Sequence, residues 1–132
     1  MAFQTVKFEY DSFRNILFVE DDYEINAKSE VDAFLSLYEE KLNEIGHKVF
    51  IVASIDGLKI GAKAYVYYGK RIKELYEKWI LGLARWGTDQ LSRMTVRAAS
   101  MTAKYDISLY NTKESAVAAI ETMIDHLKKG SV

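Results

Sequence analysis

The chain has no cysteine and no proline among its 132 residues. Without cysteine there is no disulfide and no thiolate metal site, a composition that fits a reducing compartment. Without proline there is no cis-proline turn to place. Histidine is scarce: His47 and His126 stand far apart, with no His-x-x-x-His spacing, so no metal is expected. The sequence has no glycine-rich phosphate loop and no nucleophile elbow, and no cofactor is expected. No stretch approaches the roughly 20 apolar residues of a membrane span, and the start lacks a basic-then-apolar signal pattern. The expectation is a soluble, cytoplasmic protein with no membrane span. Neither sign of charge dominates, with 18 Lys and Arg against 19 Asp and Glu. The basic residues are spread over several elements and the isoelectric point is acidic. Nucleic acid is therefore not an expected partner.

What is present is a globular composition long enough for one proper core, read as a single domain over residues 1–132. The charge is unevenly placed. Acids from Glu9 to Glu44 dominate the first third, and Lys63 to Lys104 make the middle basic. Such asymmetry steers acidic partners to one side, or simply solvates both.

Periodicity divides the chain. Thr5 to Tyr10 alternates as a half-exposed strand, and Ile16 to Val19 follows as its hairpin partner. Glu20-Asp-Asp-Tyr-Glu24 reads as an acidic loop in which Asp21 and Asp22 are solvated. Ser29 with Asp32 marks a helix start, with Val31, Leu35, Tyr38, Leu42 and Ile45 inward and Gly46 as the stop. Lys48 to Ser54 is the strongest strand, closed by Asp56-Gly57. From Gly61 a helical segment carries Tyr65, Tyr68, Ile72, Leu75 and Trp79 at inward spacing. Tyr67 is left as a surface contact, and Gly69 is an interruption. Ile107 to Tyr110 is a short strand. Asn111 with Glu114 opens a last helix with the stripe Ala116, Ile120, Met123 and Leu127, and 130–132 form a frayed tail.

The stretch Trp79 to Arg93 is the densest in chemistry. Ile80 to Ala84 is an apolar strand covered on both faces. It ends in Arg85-Trp86-Gly87-Thr88, where Gly87 allows a turn that other residues resist and Thr88 caps the following helix. In that helix Leu91, Met94, Ala98, Met101 and Tyr105 make an inward stripe. Arg85 leaves the strand beside free helix N–H groups, and Arg93 lies about a turn further on. This arrangement suits an anion, with local pairing to acids such as Asp89 the plainer alternative.

The predicted order β-β-α-β-α-β-α-β-α implies an α/β fold. It has a single mixed, mostly parallel sheet of about five strands, an N-terminal antiparallel hairpin and about four helices. In such sheets ligands and partners meet the strand carboxyl ends. If the strands ending at Ser54-Ile-Asp-Gly57 and Arg85-Trp-Gly-Thr88 are neighbours, then Ser54, Asp56, Arg85, Thr88 and Arg93 converge.

This order and these spacings resemble the STAS fold of anti-sigma-factor antagonists, in particular the small bacterial proteins described as SpoIIAA-like. The late pattern carries most of the resemblance: Ile80-Leu-Gly-Leu-Ala84, the helix from Thr88, and Ile107-Ser-Leu-Tyr-Asn-Thr-Lys-Glu-Ser-Ala116 with its T-x-E-x-A helix start. The last half also resembles a small C-terminal domain of some acyl-CoA transferases. There an Arg-aromatic-x-Thr turn precedes a helix with Arg-Met, as Arg85-Trp86-Gly87-Thr88 and Arg93-Met94 do here. In classical antagonists a serine or threonine after the third strand, usually preceded by aspartate, is phosphorylated. Residues 54–62 hold no Asp-Ser or Asp-Thr pair, and Ser54 is their only hydroxyl. The resemblance thus implies the scaffold without the phosphoswitch.

Three functions are therefore weighed. The first is a non-enzymatic regulatory or protein-interaction domain of STAS type, meeting a protein partner or a second copy in a homodimer. The second is a binding module for an anionic or acyl-type small molecule, held by Arg85 and Arg93 with Trp86 as an apolar wall. The third, ranked last, is an enzyme with Asp56 as general base.

Overall fold

A computed structural model describes residues 4–106 and 108–130. Its order is β1 (Thr5–Asp11), β2 (Ile16–Ile25), α1 (Lys28–Ile45), β3 (Val49–Ile60), α2 (Tyr65–Trp79), β4 (Ile80–Trp86), α3 (Gln90–Ala103), β5 (Leu109–Tyr110) and α4 (Lys113–Gly130). The strands form one five-stranded mixed sheet in sequence order. β1 and β2 are antiparallel, and every later pairing is parallel. Each parallel connection carries a helix, and α1, α2 and α3 all pack on one face of the sheet, as crossovers of one common hand between sequential strands require.

That face holds the main core, with Leu17, Val19, Ile51, Phe34, Leu42 and Val96 among its buried residues. The opposite face is thinner. Among the described residues α4 alone covers it, packing Ala116 and Ile120 onto Ile16, Phe50, Val52 and Ala84. Each fully buried Leu, Ile or Phe in these layers contributes about 1.5–3 kcal/mol.

Several elements differ from the sequence reading. The acidic segment 20–24 is the second half of β2, with Asp21, Tyr23 and Ile25 in phase with buried Leu17 and Val19. β3 likewise runs on past Gly57, so that Asp22 pairs with Gly57 and Ile25 with Ile60. Between Glu20–Ser54 and Asp22–Gly57, β3 advances one residue more than β2, a bulge at Ile55–Asp56. α1 is capped at Ala27, and Glu30 Oε1 accepts from the Asn26 amide at 2.9 Å, so Ser29 lies inside the first turn. α4 is capped by Thr112, whose hydroxyl accepts from the Ser115 amide at 3.1 Å, one residue later than Asn111. Leu127, assigned to its inward stripe, is exposed. Ile107 and residues 131–132 lie outside the described residues.

Gly69 does not interrupt α2, which is continuous. It is the crossing point of α2 and α3: a Cβ there would sit 2.5 Å from the Ala99 carbonyl oxygen. The close approach demands small residues, and α3 supplies Ser92, Ala99 and Ser100 with Val96. The inward stripe expected for α3 is therefore overturned within the helix, while Tyr105, just past its end, does pack on the main core. Leu91, Met94 and Met101 are 62%, 63% and 73% exposed.

The uneven charge of the sequence is partly consumed inside the fold. Arg71 on α2 binds Asp32 and Glu39 on α1, the latter at 3.0 Å, and the Tyr67 hydroxyl donates to Asp32 at 2.8 Å.

Candidate functional site

β3 and β4 are neighbours, with Ser54 opposite Trp86. At their upper end the bulge turns Asp56 toward the start of α3. Its Oδ1 accepts from the Thr88 amide at 2.7 Å and the Asp89 amide at 2.9 Å. Gly87 has no left-handed backbone. Its lack of a side chain matters for another reason: a Cβ there would lie 2.6 Å from that same Oδ1. Thr88 is not the cap. Asp89 is, accepting from the Ser92 amide at 2.9 Å and from Lys59 Nζ at 2.9 Å. The Lys59 ammonium and then the Ser92 donors hold the Asp89 carboxyl down to about 2. Free amides at a helix start attract anions, and here two carboxylates of the chain itself occupy them.

Arg93 also turns inward on the chain. Its Nη1 donates to the carbonyls of Gly87 at 2.7 Å and Tyr110 at 3.0 Å, tying the ends of β4 and β5 together. Asp56 and Thr88 thus meet directly, and Arg93 joins them through Gly87. Ser54 stays within β3, half-buried, because the strand continues past it.

Arg85 and Trp86 separate, because successive residues of a strand face opposite sides. Arg85 enters the main core and is 3% exposed. It lies 5.5 Å from the Tyr105 ring centroid. Burial works against its charge, but the Tyr105 and Tyr68 hydroxyls offset this and its pKa is raised. On the same face Asp21, 5% exposed, accepts from the Tyr38 hydroxyl at 2.6 Å. Burial pushes the Asp21 carboxyl up to about 7, against the lowering effects of the Tyr38 hydrogen bond and of Arg85. Burial also raises Tyr38 and Tyr68. Reading the acidic segment as a loop hid Asp21. Its even spacing from Leu17, Val19 and Tyr23 was the available signal.

Trp86 faces the other side, at the edge of the α4 layer. Since α4 covers only part of that face, a groove of about 300 Å³ remains beside it. Phe18, Val52 and Trp86 line its apolar part, with Lys7, Glu9, Glu20 and Lys113 around them. The Lys113 ammonium sits 5.1 Å from the Phe18 ring centroid. Neither Arg85 nor Arg93 lines this groove.

The remaining feature is the outward side of α3. Leu91, Met94 and Met101 recur at helical spacing with half-buried Ala98 between them, and Arg97 lies alongside, exposed. A contiguous apolar ridge on a globular domain marks an interaction surface more often than an isolated exposed leucine does.

No family model matches the chain, and no curated protein is similar to it. Among the described residues, no helix is long and apolar enough to cross a membrane.

Proposed function

We propose that this chain is a non-catalytic, regulatory protein-interaction domain of STAS type whose contact surface is the outward ridge of α3. One observation carries the reading: Leu91, Met94 and Met101 stand in solvent while the same helix buries only small residues and a valine. The element order and mixed sheet support the STAS comparison as a likeness of fold, which is a weaker warrant for function than the ridge. Asp56, the residue weighed as a general base, anchors two backbone amides instead. The test is site-specific photo-crosslinking in cells of the source organism, with the crosslinker at Met94 and, as control, at Lys41 on α1. A discrete adduct at Met94 that Leu91→Glu abolishes is the expected result. No adduct, or equal smears at both positions, overturns the reading.

The second reading, a module for an anionic or acyl-type small molecule, is favoured by the groove with Phe18, Val52 and Trp86 on its floor and Lys7 and Lys113 at its rim. A thermal-shift panel of phosphate, nucleotides, coenzyme A and short fatty acids tests it. A ligand at about a hundredfold over its Kd stabilises by roughly 2.7 kcal/mol. A shift that Trp86→Ala removes supports the groove, and silence across the panel sinks it.

A further inference from the structure

β1 is an edge of the sheet, and on its outer side no described strand pairs with it. A free edge of this length templates pairing with another chain unless something blunts it. Val6, Phe8 and Tyr10 point to the main core and are half-buried, with Phe8 packed edge-on to Tyr38 at 5.4 Å. Lys7 and Glu9 point to the other face and are exposed. Among the described residues neither forms an ion pair.

We propose that the occupant of this edge is a second copy of the chain, its β1 paired antiparallel about a two-fold axis through Phe8. A closed dimer across one strand edge is isologous, so the strand must be complementary to itself. Thr5–Asp11 meets that condition in one register. Centred on Phe8, Lys7 of each copy faces Glu9 of the other, making two opposite-charge pairs on one face. On the other face Val6 meets Tyr10 twice and Phe8 meets Phe8, extending the apolar layer across the axis. A shift that centres Lys7 or Glu9 puts like charges directly opposite, which destabilises a sheet. A one-residue slip sets charged positions against apolar ones on opposite faces. The charges that would ordinarily protect an edge therefore select a single partner strand here, an identical one. The result is a continuous ten-stranded sheet with both helical layers preserved. This inference is independent of the α3 ridge, which lies on a helix crossing α2 and stays open in such a dimer.

Sedimentation velocity over a concentration series of the full chain tests it. A single strand edge makes a small interface, so the dimer is expected to be concentration-dependent. Glu9→Lys and Lys7→Glu should each shift the protein to monomer, and the swap K7E/E9K should restore the dimer. Lys7 also stands opposite Glu20 in its own hairpin, so Glu9→Lys is the cleaner single change, with melting temperature as the control for folding. Since the chain has no cysteine, Phe8→Cys provides a second readout: a disulfide-linked dimer under mild oxidation, with no such product from Thr95→Cys on α3. A protein that is monomeric at every concentration overturns the proposal. So does a dimer that is indifferent to the β1 charges and is dispersed by Met94→Glu.

Discussion

Tyr38 donates its hydroxyl hydrogen to Asp21 Oδ1 across 2.6 Å, and both side chains are sealed in the main core. The pair joins α1 to β2, but it does not relieve Asp21 of its desolvation, which leaves the carboxyl titrating at about 7. In the unfolded chain an aspartate titrates near 3.9, roughly. The folded state therefore binds this proton more tightly. Its contribution is greatest at low pH and is lost as pH rises between the two values, at about 1.4 kcal/mol per pH unit. Asp21→Asn keeps an acceptor for Tyr38 and removes the titration. Urea unfolding across pH should show the variant matching the wild type near pH 4 and exceeding it above pH 7. Parallel profiles would remove Asp21 from the account.

Asp89 works in the opposite direction. Lys59 and Ser92 hold its folded pKa at about 2. Its contribution is complete above the unfolded value and disappears as pH falls toward the folded one. Asp89→Asn should lower stability at neutral pH and converge on the wild type at low pH, flattening the acid limb while the slope of the neutral limb stays unchanged. The two aspartates together place their joint optimum near the ordinary carboxylate pKa. A double variant with an unchanged curve would show that other groups set it.

Gly69→Ala sets helix propensity against close packing. Alanine favours a helix interior over glycine by about 1 kcal/mol. Against this, the new Cβ would lie 2.5 Å from the Ala99 carbonyl oxygen, an atom fixed in a helix backbone. Overpacking of this kind costs about 1–3 kcal/mol. The clash is expected to win, lowering the denaturation midpoint by a net amount on the order of 1 kcal/mol. A stabilised variant would mean that α2 and α3 part freely.

The order of strands and helices was legible because alternation and helical spacing are properties of local stretches. Where the reading failed, charge or size misled it. Three consecutive charges, Glu20 to Asp22, looked like a loop, yet the alternation of Leu17, Val19, Tyr23 and Ile25 continues through them. The apolar run Ile80 to Ala84 suggested a strand covered on both faces, yet Leu81 is 40% exposed beside α4, and the run gave no sign of which way Arg85 would face. The bulge at Ile55–Asp56 leaves no mark in composition, and it is what brings Asp56 onto the α3 amides. None of these outcomes depends on a single stretch. Each is set by what a neighbouring element leaves room for.

The rotation of α3 is the sharpest instance of that dependence, and it supports a prediction with opposite signs for two residues one half-turn apart. Spacing alone assigns Leu91, Met94 and Met101 to the core, because they are the largest apolar side chains on the helix. The close crossing at Gly69 and Ala99 leaves no room for them, so small residues pack inward and the large ones are turned out. Met94→Gln should then change stability by no more than about 0.5 kcal/mol, as for other surface positions. Val96→Ala removes two fully buried methyl groups and should cost about 2 kcal/mol, counting burial and the space left behind. Urea midpoints of the two variants decide between the orientations. If the costs came out reversed, α3 would present Met94 to the sheet, and the ridge assigned to a protein partner would be part of the core.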